Sequence, residues 1–314
     1  MKRFLKMFSS NRFLFLALFL VILMFFLSGK DRSVLREVIT DEYLIEFAPV
    51  DQPIVDPEAS IVNLSARSFL IVDVDSGAIL LSQNENVSLA PASITKIMTA
   101  LVSMDYYSKD QLLEVKREYL VGRNMGLQEG EKLTVFDLYL GLMVHSANDA
   151  AFVLADNYPG GVEKFIEAMN QKAIDLGFSR THFSNFDGEE DLDHYATALD
   201  IARLSRLLLE NELLSTIIEV DSAVVRDISG TIEHKLETTN QLLGVIPEIK
   251  GLKTGWTNQA GECFVSYFQF QDLEKTRGLI AVILGSNDRF SETKILLDWV
   301  KKNVSWTLVA EPLN

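Results

Sequence analysis

The chain has 314 residues, 48% of them hydrophobic, which suffices for a sizeable buried core and excludes wholesale disorder. Its formal net charge is −15, so the basic footprint of a nucleic-acid binder is missing and no nucleic-acid partner is expected. The single cysteine, Cys263, excludes an intramolecular disulfide framework and a cysteine-based zinc site, and its apolar surroundings in Glu262–Phe270 mark it as a small buried residue.

Lys2, Arg3, Lys6 and Arg12 precede an unbroken apolar run, Phe13–Leu27, the pattern of a signal peptide or signal anchor. The run is short beside the roughly 17–25 residues of a spanning helix. The small-residue cleavage pattern around Leu27-Ser28-Gly29 is poor, and no cysteine follows for a lipid. Residues 1–29 are therefore read as an uncleaved membrane anchor in preference to a cleaved signal. Residues 30–62 are charged and carry Ala48-Pro-Val-Asp-Gln-Pro-Ile-Val-Asp-Pro57, a tether. The globular domain is expected over 63–305, with 306–314 as a tail.

Ser68–Val74 and Ala78–Ser82 are β-rich, and Asp75-Ser76-Gly77 between them predicts a hairpin turn, a reading preferred over a calcium loop. Pro91 predicts the start of a helix carrying Ser93 and Lys96, because proline suits a first helical turn. Thr134-Val-Phe-Asp137 resembles a capping box opening a helix to Val144. Further helices are expected over Asp149–Asp156, Gly161–Leu176 and from Thr197-Ala-Leu-Asp200 to about Glu210. Gly261–Phe270 and Thr276–Leu284 predict a long hairpin, and Ser291 is expected to cap a last helix reaching Asn303. Strands at both ends with helices between them predict an α+β domain. One antiparallel sheet is formed by both ends, helices pack on it, and a mainly helical insertion lies in the middle.

Three short motifs follow in order: Ser93-Ile-Thr-Lys96 (S-x-x-K), Ser146-Ala-Asn148 (S-x-N) and Lys253-Thr-Gly255 (K-T-G). Taken singly, each has an ordinary explanation: a solvated helix lysine, an N-cap pair, a turn into an edge strand. Together and in this order they match the set of penicillin-binding proteins and class A β-lactamases. The chemistry explains the spacing. Residues three apart share a helix face, so Lys96 can reach the Ser93 hydroxyl. A serine is a poor nucleophile without a base, and a lysine is a base only when burial or a nearby cation favours its neutral form. Lys253 is the candidate for that cation. The helix start before Lys96 offers backbone N–H groups to a developing oxyanion. The four histidines (His145, His182, His194, His234) form no H-E-x-x-H, and there is no G-x-S-x-G elbow or phosphate-cradling loop. His145 is the histidine expected nearest the site.

Beyond the triplets, Pro91-Ala-Ser-Ile-Thr-Lys-Ile-Met-Thr-Ala100, Met125-Gly-Leu-Gln-Glu-Gly-Glu-Lys-Leu-Thr134, His145-Ser-Ala-Asn-Asp-Ala-Ala151, His194-Tyr-Ala-Thr-Ala198 and Lys253-Thr-Gly-Trp-Thr-Asn-Gln-Ala-Gly-Glu-Cys263 resemble the D-alanyl-D-alanine carboxypeptidases, the low-molecular-weight penicillin-binding proteins. The likeness spans roughly residues 60–305. It implies a β-lactamase/DD-peptidase-like fold and an extracytoplasmic hydrolase on the bacterial membrane. Its partners would be a peptidoglycan stem peptide ending in D-Ala-D-Ala and, as covalent inhibitors, β-lactams. The resemblance implies Ser93 as nucleophile, Lys96 as general base and Ser146 as proton relay. It also implies that Asn148 holds a substrate carbonyl and that Lys253 and Thr254, followed by Gly255, bind the terminal carboxylate. The N–H groups of Ser93 and Trp256 would form the oxyanion hole. No cofactor and no metal are implied.

Two departures stand out. Ala147 replaces a frequent glycine, and Asn185-Phe-Asp-Gly188 replaces the usual Asn-Pro-x-Gly. Many members also add a β-rich second domain and a C-terminal amphipathic anchor. Neither is expected here, which moves membrane attachment to the N-terminal run. The alternatives are a DD-endopeptidase using the same residues, a β-lactamase, for which Glu189-Glu-Asp-Leu-Asp193 is a loose match, and a non-catalytic sensor.

Overall fold

The computed structural model describes residues 51–272 and 275–307. The expected anchor, most of the tether and residues 308–314 lie outside the described residues. Among the described residues no helix is long and apolar enough to cross a membrane.

The chain begins with strands β1 (Gln52–Val55), β2 (Ser68–Asp73) and β3 (Ile79–Gln83). The β2–β3 corner forms where the sequence predicts it: Asp73 Oδ1 accepts from Ser76 N at 2.8 Å and from Ser76 Oγ at 2.6 Å. A middle region follows, with α1 (Lys96–Tyr106), the strand pair β4 (Leu112–Glu114) and β5 (Lys132–Thr134), α2 (Val135–Leu140), α3 (Asn148–Asp156), α4 (Gly161–Asp175), α5 (Ala198–Leu209) and α6 (Glu212–Ile217). A small hairpin, β6 (Ser222–Arg226) with β7 (Glu233–Glu237), leads to β8 (Ile249–Thr257), β9 (Gly261–Asp272) and β10 (Lys275–Ser286). The last elements are α7 (Arg289–Asn303) and β11 (Val304–Thr307).

The main sheet runs β3-β2-β10-β9-β8, antiparallel throughout. Strands from both ends of the domain share it, as the order of elements predicts. Successive side chains leave a strand on opposite faces. Phe69, Ile71, Phe264, Phe268, Leu279 and Ile283 meet α7 through Leu296, Leu297 and Val300. Their neighbours Leu70, Val265, Ile280, Val282 and Leu284 join the helical core instead, where α5 packs on β2 and β10. Both faces are covered, so β10 reads as a continuous apolar run and not as an alternation. Each large side chain buried this way stabilises by roughly 1.5–3 kcal/mol. An exposed ion pair such as Lys164–Glu167 contributes about 0–1 kcal/mol, so the packed sheet holds the site's walls together. Cys263 is buried here, and burial pushes its thiol up to about 11.

Four local outcomes differ from the sequence expectation. Pro53, in the stretch expected as tether, lies in β1 and faces Trp306 of β11, so residues 52–55 and 304–307 form a strand pair. Proline is tolerated there because, among the described residues, the pair is a two-stranded ribbon in which each strand is an edge strand. The Ser93 segment is a tight 3₁₀ turn, Ala92–Thr95, that runs into α1. The K-T-G motif lies within β8 and does not precede it. Finally, Asp288 caps α7, accepting from Ser291 N at 3.0 Å, so the helix starts earlier and Arg289 is its first residue.

Candidate active site

The 3₁₀ turn brings residues three apart into eclipse, and Lys96 Nζ lies 3.0 Å from Ser93 Oγ. Lys96 is fully buried. Its amine also donates to Asn148 Oδ1 at 2.6 Å and to the carbonyl of Asp187 at 2.7 Å. A neutral amine has two N–H groups and one lone pair. Two carbonyl acceptors fix both N–H groups, so the lone pair is left for the Ser93 hydroxyl. Burial pushes the Lys96 amine down to about 8, against the opposing charges of Asp187, Glu189 and Asp149. Burial, rather than the expected cation Lys253, is the largest cause. Lys253 is itself buried, and burial, then Lys96, Arg289 and Arg123, drives its amine well below the usual lysine range.

Ser146 follows a π-helical turn, Gly141–His145, and adopts a left-handed conformation with φ +62°. That costs on the order of 1–2 kcal/mol for a residue with a Cβ. The turn aims Ser146 Oγ at Lys253 Nζ, 2.7 Å away. The ordinary capping explanation does not apply: Ala147 is the N-cap of α3, and no side chain caps it. Asn148 lies inside the helix. Its Nδ2 donates to Val121 O at 3.1 Å and to Glu189 Oε1 at 2.8 Å. His145 lines the same cleft.

Strand β8 closes the site from the other side. Lys253 is buried, Thr254 Oγ1 lies 2.6 Å from Thr239 Oγ1, and Trp256 is 59% exposed at the mouth. A Cβ on Gly255 would sit 2.9 Å from Ser93 N, so only glycine lets the strand pass this close to the nucleophile's backbone. Ser93, Ser146, Asn148, Thr254, Gly255 and Trp256 line one cleft of about 820 Å³, and Lys96 and Lys253 are buried behind it.

Sequence reasoning does not find several neighbours. Arg289 lines the cleft and donates through Nη1 to Gly255 O at 2.8 Å, a position that follows from the Asp288 cap. The altered loop is held by hydrogen bonds: Gly188 N donates to Asn185 Oδ1 at 2.8 Å, and Tyr119 OH donates to Asp187 Oδ2 at 2.7 Å. Phe186 packs with Tyr119 and Phe152.

His194 secures the Ser93 turn from below. Its Nδ1 accepts from Ser184 N at 3.1 Å, which places the ring proton on Nε2, 2.7 Å from Thr95 Oγ1. Thr95 in turn donates to Ala92 O at 2.8 Å. Burial pushes His194 down to about 4, so it is neutral in the folded protein at neutral pH. The unfolded chain binds the proton more readily. Stability is therefore full above about pH 6.5 and declines as pH falls toward 4, by roughly 3 kcal/mol in all. Denaturant unfolding across that window should show the decline, and His194→Gln should flatten it.

The sequence model of one family, D-alanyl-D-alanine carboxypeptidase, matches residues 54–288. The chain belongs to the D-alanyl-D-alanine carboxypeptidase family. It is 30% identical over 244 residues to the D-alanyl-D-alanine carboxypeptidase DacF of Bacillus subtilis, covering 74% of this chain and 61% of that one. It is 34% identical over 210 residues to the D-alanyl-D-alanine endopeptidase of Pseudomonas aeruginosa, covering 65% and 67%. Among solved structures, the Streptomyces K15 DD-transpeptidase matches with a TM-score of 0.72 at 26% identity, covering 77% of this chain and 99% of that one. The fold is thus the α+β DD-peptidase fold. The chain spans less than two thirds of the length of the first curated carboxypeptidases it matches.

Proposed function

We propose that the protein is a serine-type D-Ala-D-Ala carboxypeptidase that trims peptidoglycan stem peptides through a Ser93 acyl-enzyme. The observation that supports this best is the buried Lys96 amine, 3.0 Å from Ser93 Oγ, with its other positions taken by two carbonyls. Ser93 Oγ attacks the carbonyl of the penultimate D-alanine and gives its proton to Lys96. The C–N bond breaks as Ser146, held by Lys253, passes its proton to the leaving amine and takes up in turn the proton that Lys96 received. Water then hydrolyses the ester and restores Ser93. The N–H groups of Ser93 and Trp256 receive the oxyanion. Thr254 and Lys253 provide hydrogen-bond donors and Arg289 the positive charge for the terminal carboxylate, and Asn148 holds a carbonyl of the donor.

The catalytic domain works outside the cytoplasmic membrane, tethered by residues 1–29. A β-lactam, which presents a similar carbonyl and carboxylate, acylates the same serine. A second reading, cleavage of cross-links, is favoured by the 34% identity to an endopeptidase. Mass spectrometry of digested muropeptides separates the two, because trimming shortens pentapeptides and endopeptidase action splits dimers. The purified protein is expected to release D-alanine from a pentapeptide, and Ser93→Ala to lose all labelling by a fluorescent penicillin. Retained labelling would identify a different nucleophile.

A further inference from the structure

The proposed reaction asks Asn148 to donate a hydrogen bond to a carbonyl of the acyl donor. Both N–H groups of its Nδ2 are already engaged, one with Val121 O at 3.1 Å and one with Glu189 Oε1 at 2.8 Å. Oδ1 is engaged as well, by Lys96 at 2.6 Å, and that contact fixes which end of the amide is nitrogen. An incoming carbonyl must therefore replace one partner. The Lys96 contact holds the base, and the Val121 contact is to the main chain. The Glu189 contact is the exchangeable one, since Glu189 is only half-buried and lines the cleft beside Ser93.

The contact is also built in. Asn185 Nδ2 donates to Glu189 O at 3.0 Å and fixes the backbone. Gly122 leaves room for the pair, since a Cβ there would meet Asn148 Nδ2 at 2.3 Å and Glu189 Oε1 at 2.4 Å. A carboxylate makes a charge-assisted bond, about twice as strong as the neutral bond a substrate carbonyl offers in its place.

We propose that Glu189 is a specificity-determining residue that caps the Asn148 donor in the free enzyme, so an acyl donor wins the Asn148 contact only by exchanging its own carbonyl for the Glu189 carboxylate. The proposal rests on the carbonyl-holding role given to Asn148 above. Donors that carry a side-chain amide face this exchange. Donors without one acylate Ser93 with the cap in place. The cap thus narrows the advantage that an amide would otherwise confer.

The test compares two β-lactams with the same ring system, benzylpenicillin, which has a side-chain amide, and 6-aminopenicillanic acid, which has none. Second-order acylation constants are measured on the full chain for wild type, Glu189→Ala and Glu189→Gln. Glu189→Ala is expected to raise acylation by benzylpenicillin roughly tenfold, as befits a charge-assisted bond that no longer has to be surrendered. Acylation by 6-aminopenicillanic acid should stay within about twofold. Glu189→Gln keeps a weaker, neutral acceptor and should fall between; it also carries the test should Glu189→Ala fold poorly. In an Asn148→Ala background the gain should vanish. Equal acceleration of both compounds would trace the effect to the charge near Lys96 and overturn the proposal, as would no change, a slower reaction with benzylpenicillin, or a gain that survives without Asn148. If wild type is not acylated at Ser93 at all, the acyl-enzyme itself is refuted, a result distinct from these.

Discussion

Replacing Lys96 by alanine is expected to slow acylation of Ser93 by roughly 10²–10⁴-fold, the range for removal of a positioned general base. The wild-type rate should rise with pH and level off above about 8, where burial has brought the amine. The sign follows from the mechanism. Only neutral Lys96 accepts the serine proton, so below that value the rate should fall about tenfold per pH unit. Lys96→Ala should lose that profile along with the rate, which separates a missing base from a merely distorted pocket. Lys96→Arg should be as slow, since a guanidinium keeps its proton. Stopped-flow labelling with a fluorescent penicillin between about pH 6 and 10 reads both quantities. A Lys96→Ala enzyme within threefold of wild type, or a wild-type rate that falls as pH rises, would move the base elsewhere.

How much of this site the sequence reveals depends on how local each feature is. Ser93 and Lys96 lie in one turn, so their spacing alone predicts their contact. The hairpin at Asp73–Gly77 and the capping box at Thr134–Asp137 are local too, and both form. Ser146 is harder. Serine before a helix suggests a cap, yet a π-helical turn inserts an extra residue and throws Ser146 into a left-handed conformation facing β8. The K-T-G strand is disguised for another reason. Ile249–Thr257 carries two glycines and a lysine on buried positions, so its pattern suggests a turn although it is an edge strand.

Long-range contributors leave no local trace. Arg289 reaches the cleft because β8 and the start of α7 adjoin, which no spacing encodes. Glu189 sits in a segment that resembles a β-lactamase loop, but only the fold shows it bound to Asn148. The proline-bearing start of the domain is a related case. Proline and charge around residues 48–57 suggest a tether, and pairing with a strand some 250 residues later, Gln52 opposite Thr307, is invisible until the sheet is closed.

The departure at Asn185-Phe-Asp-Gly188 leads to the most damaging single methyl group expected in the site. Gly188 has φ +89°, and a Cβ there would lie 2.0 Å from Ala92 O, 2.4 Å from Ala92 C and 2.8 Å from Ser93 N. Those atoms are backbone and cannot swing aside as a side chain would. Gly188→Ala must therefore push the loop away from the nucleophile turn. Lys96 then loses the Asp187 carbonyl, and the turn carrying Ser93 N shifts. Overpacking of about 1–3 kcal/mol adds to left-handed strain of about 1–2 kcal/mol. That sum corresponds to a Tm lower by roughly 5–15 °C in a domain of this size. Acylation should fall by at least about a hundredfold, because displacements near 1 Å are enough for that. Gly177→Ala isolates the strain: its φ is +76°, but nothing lies within 4 Å of the added carbon. It should lower Tm slightly and leave acylation intact. A Gly188→Ala enzyme that acylates like Gly177→Ala would mean that the loop, although in contact, does not hold the Ser93 turn in place.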